Sequence, residues 1–67
     1  MILVTNEILE GITEARDSGE HNMFDYYSVM DWCINNGYRA AALWMYENKK
    51  LYMNGVMQGF TTDGDAD

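Results

Sequence analysis

Sixty-seven residues with one cysteine allow a single small domain, with no room for a second core and no intramolecular disulfide to support the first. Eleven Asp and Glu against four Lys and Arg give a formal net charge of -7, which opposes direct binding to nucleic-acid backbones or to anionic membrane surfaces. An apolar content of 48%, with two Trp and five Tyr, exceeds what disordered chains carry, so a folded body is expected.

Met1 to Val4 is apolar but lacks the basic leader and long apolar stretch of a secretion signal, and no run approaches the ~18 apolar residues needed to cross a bilayer. A cytoplasmic location without membrane association is therefore the expectation. The first helix is predicted to open on Thr5 as N-cap, with Val4 and Leu9 at hydrophobic-staple spacing, and to stop at Gly19. At ~100° per residue, Ile8, Leu9, Ile12 and Ala15 share one side while Glu7, Glu10, Glu14 and Asp17 line the other.

Asn22 and Asp25 are candidate caps for a second helix running from about Asp25 or Tyr26 to Asn36, closed by Gly37 in a left-handed conformation. Tyr26, Val29, Met30, Cys33 and Ile34 share a face of it, and Trp32 falls on the polar side, either beneath another segment or free for a partner.

The third segment, roughly 38–57, has apolar residues around most of its circumference, with Ala40, Trp44 and Leu51 as the expected inner face. Either a kink near Asn48 divides it, or the excess apolar surface packs on a second copy. The second option is the expectation, with Met45, Tyr52 and Val56 at a homodimer interface. Residues 1–60 then make one helical domain and 61–67 a flexible acidic tail.

Chemistry has little to work with. One His and one Cys at unrelated positions do not make a zinc site; His21 reads as a solvated turn residue and Cys33 as a small buried hydrophobe. Asp63, Asp65 and Asp67 alternate with Gly64 and Ala66 but lack the sixth-position glycine and distal Glu of a calcium loop. Gly55 and Gly59 lack the context of a phosphate-binding loop. No catalytic residue, cofactor or metal is expected.

The acidic stripe has two readings. The commoner role of such a stripe is to solvate an outward helix face. The sharper one is DNA mimicry: Glu7, Glu10, Glu14 and Asp17, reinforced by Glu20, Asp25 and the tail, present negative charge to a groove shaped for phosphates. Glu20 and Trp32 would complete the partner-binding set, and Tyr27 is a second exposed aromatic to test.

The residues Ile8, Ile12, Ala15, Arg16, Asp17, Ser18 and Gly19, followed by Asn22, Met23, Phe24, Asp25 and Val29, resemble the signature of a small family from phages and prophages of Firmicutes. The resemblance spans roughly residues 7 to 59 and lies in an N-terminal helix, an R-x-x-G turn, an N-M-F-D step and a later helix with a tyrosine near Tyr52. The aromatic-rich third segment and the acidic tail depart from that pattern, and the resemblance implies phage origin without an enzymatic role. In the N-M-F-D step, Asn22 and Asp25 are expected to bond nearby backbone N–H groups while Met23 and Phe24 plug the core, with Arg16 tying the turn to Asp25.

Together these features predict an all-α, three- or four-helix domain, homodimeric through its third segment. The expected function is a phage-encoded, non-enzymatic inhibitor that occupies the basic surface of a host nuclease of the CRISPR or restriction type. The competing expectation is a small phage structural or assembly accessory whose acids only confer solubility.

Overall fold

A computed structural model of the chain describes residues 1–62. Its elements in order are β1 (Ile2–Val4), α1 (Asn6–Ser18), α2 (Tyr26–Asn35), α3 (Arg39–Glu47), α4 (Lys49–Gln58) and β2 (Phe60–Thr62). The fold is all-α, with four helices among the described residues and a short parallel β pair joining the two ends of the described chain. No helix among the described residues is long and apolar enough to cross a membrane.

Thr5 caps α1 as expected: its Oγ1 accepts from the Ile8 N–H at 3.3 Å, satisfying one of the free donors of the first turn. Gly19 (φ 68°) closes α1 and Gly37 (φ 86°) follows α2, both in the left-handed region where a side chain would be strained. The buried stripes are Ile8, Ile12 and Ala15 on α1, Tyr26, Val29 and Cys33 on α2, Ala41, Ala42 and Met45 on α3, and Tyr52 on α4.

The third segment departs most from expectation. Asn48 ends α3 and begins α4: its side-chain amide donates to the Trp44 carbonyl at 3.0 Å, and its carbonyl accepts from the Tyr52 N–H at 2.9 Å. At the break the side chain thus stands in for a backbone donor to the last turn of α3. Two short helices then each turn a different stripe to one core. Met45 and Tyr52 are fully buried within the single chain and so cannot form the dimer interface assigned to them, and Val56 is half-buried against the same core. The inner face also lies one position round from the expected one: Ala40 and Trp44 are half-buried and Leu51 is exposed, while Ala41, Ala42 and Met45 point inward.

Two buried tyrosines tie the layers. The Tyr26 hydroxyl donates to the Met45 carbonyl, joining α2 to α3, and the Tyr52 hydroxyl donates to the Met23 carbonyl, joining α4 to the α1–α2 turn, both at 2.6 Å. In that turn Asn22 Oδ1 accepts from the Phe24 N–H at 2.8 Å, as expected, but Asp25 instead accepts from the Ser28 hydroxyl at 2.8 Å. Met23 packs on the core, whereas Phe24 is half exposed and plugs nothing.

The β pair was not anticipated. Ile2, Leu3 and Val4 pair in parallel register with Phe60, Thr61 and Thr62, and the Ile2 N–H donates to the Gly59 carbonyl at 3.0 Å. The segment expected to be tail from Thr61 onward thus starts in a strand, because Thr61 and Thr62 find backbone partners in β1 and Thr62 is buried there. Residues 63–67, including Asp63, Asp65 and Asp67, lie outside the described residues.

Candidate protein-binding face

Glu7, Glu10, Glu14 and Asp17 are spaced three, four and three residues apart, which confines them to an arc of roughly 80° on one side of α1. All four are exposed. The opposite side of the helix is locked into the core by Ile8, Ile12 and Ala15, so the charged face cannot rotate inward. Ten residues at 1.5 Å each make the row ~15 Å long. Among the described residues its one ion pair is between Asp17 and the adjacent Arg16, at 3.4 Å with both side chains well exposed, and such a pair contributes only ~0 to 1 kcal/mol. Arg16 therefore bonds its sequence neighbour and not Asp25.

An aromatic pair stands beside this row, and Gly11 is what lets it approach. A Cβ at Gly11 would lie 2.6 Å from the Ala41 Cβ and 2.9 Å from the Tyr38 Cβ, so α3 and its preceding residue press directly on the α1 backbone. Tyr38 is consequently flanked by Glu10 and Glu14; desolvation, then the Glu14 and Glu10 charges, raise the pKa of its hydroxyl. Trp32 stacks on Tyr38 with ring centroids 5.7 Å apart and planes 9° from parallel. The Trp32 indole N–H donates to the Glu20 carboxylate at 3.3 Å, and His21 meets the indole edge-on at 6.3 Å.

The structure thus sets Glu10 and Glu14 beside Tyr38 and Glu20 on Trp32 at the two sides of the Trp32–Tyr38 stack, with Glu7 and Asp17 extending the row at either end. Trp32 is half-buried, not a free ring: one face is covered by Tyr38 and its single donor is already used. Tyr27 is exposed but belongs to another surface, edge-on to Tyr26 and beside the Lys49 ammonium at 5.3 Å. Gly11 and Tyr38 were missed in the sequence. The available signal was a glycine inside an otherwise strong helical pattern, which often marks a close approach.

The buried groups are arranged for packing. Burial pushes the Cys33 thiol up to about 11, and its S–H faces the Gly11 carbonyl at 3.7 Å. His21 is half-buried, with Nε2 enclosed and without a hydrogen-bond partner among the described residues, which corrects its reading as a solvated turn residue. No three His, Cys, Asp or Glu among the described residues converge as metal ligands would. What the face offers chemically is fixed negative charge with an aromatic border, suited to a cationic surface.

No curated protein and no solved structure matches this chain. A family profile does match, over residues 4–60, a stretch that takes in all four helices but only Val4 of β1 and Phe60 of β2. On that match the chain belongs to the family described as a domain of unknown function, DUF5049.

Proposed function

We infer that this chain is a non-catalytic binding module that lays its α1 face on a basic surface of another protein, one shaped to follow nucleic-acid phosphates. The observation that supports the reading is the row Glu7, Glu10, Glu14 and Asp17, held outward by a buried opposite face and with three of its four carboxylates free of ion pairs among the described residues. It spaces charges at ~5 Å along the helix, against ~3.4 Å per phosphate along one DNA strand. Glu20 and the Trp32–Tyr38 pair add a fifth charge and an aromatic edge on the same side. The resemblance to a small family from phages and prophages of Firmicutes supplies the context: the basic surface belongs to a host defence nuclease of the CRISPR or restriction type, met in the host cytoplasm.

The test is phage plating on a strain that carries such a nuclease. Expression of the wild-type chain should raise the plating efficiency of a targeted phage. The quadruple variant Glu7→Gln, Glu10→Gln, Glu14→Gln and Asp17→Asn should lose that protection while keeping its far-UV circular dichroism, since all four side chains are exposed. Protection by the neutralised variant equal to wild type, or none by wild type across CRISPR and restriction strains, would discard this reading in favour of an assembly accessory.

A further inference from the structure

The second and third helices expose an apolar surface that the acidic row does not reach. Tyr27, Met30 and Ile34 follow one another along α2 at helical spacing, and Leu43 and Tyr46 do so along α3. Between the helices lies a groove of about 380 Å³ lined by Met30, Ile34, Ala42, Leu43 and Tyr46, with Arg39 also on its wall. Ile34, Leu43 and Tyr46 are 51%, 59% and 73% exposed, which is a contiguous apolar patch and not a scatter of single residues.

The charges on α3 indicate what covers it. Arg39 lies four residues before Leu43 and Glu47 four residues after, on the same side of the helix; both are exposed, and neither has an ion pair among the described residues. Each is displaced ~6 Å from Leu43 along the axis, in opposite directions. A second α3 laid antiparallel across the first, with the two-fold axis through Leu43, brings Arg39 of each copy level with Glu47 of the other. The arrangement is self-complementary, as a two-fold interface must be.

We propose that the α2–α3 face is closed by a second copy of this chain, with α3 packed antiparallel to α3 about Leu43. The apolar centre is Leu43 with Ile34 and Tyr46 from each copy, and the Arg39–Glu47 pairs set its register. Ala41, where α1 packs, lies ~200° round α3 from Arg39, so the acidic rows of the two copies point away from each other. Charge repulsion across the dimer is then screened, since the Debye length at physiological salt is ~8 Å. The interface is independent of whatever the α1 face binds.

Sedimentation equilibrium tests it, on wild type and variants up to roughly 0.5 mM, a range that reaches dissociation constants weaker than 0.1 mM. Wild type should pass from the monomer mass to twice that mass. Leu43→Asp should remain monomeric with unchanged far-UV circular dichroism. Arg39→Glu and Glu47→Arg should each weaken the dimer on the order of tenfold, and the double exchange should recover most of that loss. A wild-type monomer throughout the range, a dimer indifferent to Leu43→Asp, or a double exchange no tighter than either single variant would overturn the proposal.

Discussion

Gly11 lacks a side chain at the point where two neighbours occupy the space one would fill. Alanine there would gain up to ~1 kcal/mol of helix propensity, yet its methyl would overlap Ala41 and crowd Tyr38. Both obstructing atoms are Cβ atoms, which move only with their backbones, so α1 and α3 would have to separate. Overpacking of this kind costs ~1–3 kcal/mol, enough to outweigh the propensity gain. Gly11→Ala is therefore expected to lower stability by about 1–2 kcal/mol in urea titration and to alter Trp32 fluorescence, because Tyr38 carries the stacked indole with it. Ala41→Gly in the same chain should recover part of the loss. A Gly11→Ala chain more stable than wild type would mean that the two helices are not in such close contact.

At the scale of the element, residues 39–58 form two helices that meet at Asn48, and the core decides the break. A continuous helix would recover backbone hydrogen bonds at the break, but would carry Tyr52 away from the core on which Met45 also depends. Burying an aromatic side chain contributes ~1.5–3 kcal/mol, more than the few tenths that helix propensity favours over asparagine. Asn48→Ala should accordingly keep the break: ellipticity at 222 nm stays unchanged, while stability falls by about 1 kcal/mol through loss of the bond to the Trp44 carbonyl. A rise in helicity would show that the side chain, and not the core, enforces the break. The contrast with α1 shows what was legible in the chain. There, cap, glycine stop and amphipathic stripe all agree, and the acidic row was readable to the residue. In residues 38–57 the apolar pattern was compatible with one helix facing a partner or two facing a core, and periodicity alone does not separate them. The strands were illegible for another reason: three residues are too few to show alternation, and Ile2 and Phe60 meet across nearly the whole described chain. The Trp32–Tyr38 stack likewise depends on how α1 meets α3, which no local pattern records.

At the scale of the whole molecule, four carboxylates line the outer face of α1, three of the four Lys and Arg side chains sit on α3 and α4, and between them lies a core holding a thiol and two phenols. Those interior groups make the fold sensitive to alkali. Burial pushes the Cys33 thiol from 9.0 up to about 11. Burial first, then the neighbouring Cys33 and Asp25, raises the Tyr52 hydroxyl as well. Ionising either group would place an anion in the core and withdraw a hydrogen bond, from the Gly11 carbonyl in one case and the Met23 carbonyl in the other. Both protons are held more tightly in the folded chain than in the unfolded one, so the stability tied to the thiol is complete below pH 9 and is lost as the pH rises through about 11, while that tied to the Tyr52 hydroxyl starts to fall only above pH 10 and at higher pH than the thiol's. Urea midpoints should be flat from neutrality to about pH 8.5, then fall, with the thiol alone accounting for on the order of 2 kcal/mol by pH 11. Cys33→Ala should lose stability at neutral pH yet show a shallower decline between pH 9 and 11, the remainder coming from the tyrosines. An equally steep decline in Cys33→Ala would mean that the thiol is not enclosed in the native chain, and with it would go the packing of α2 against the Gly11 backbone.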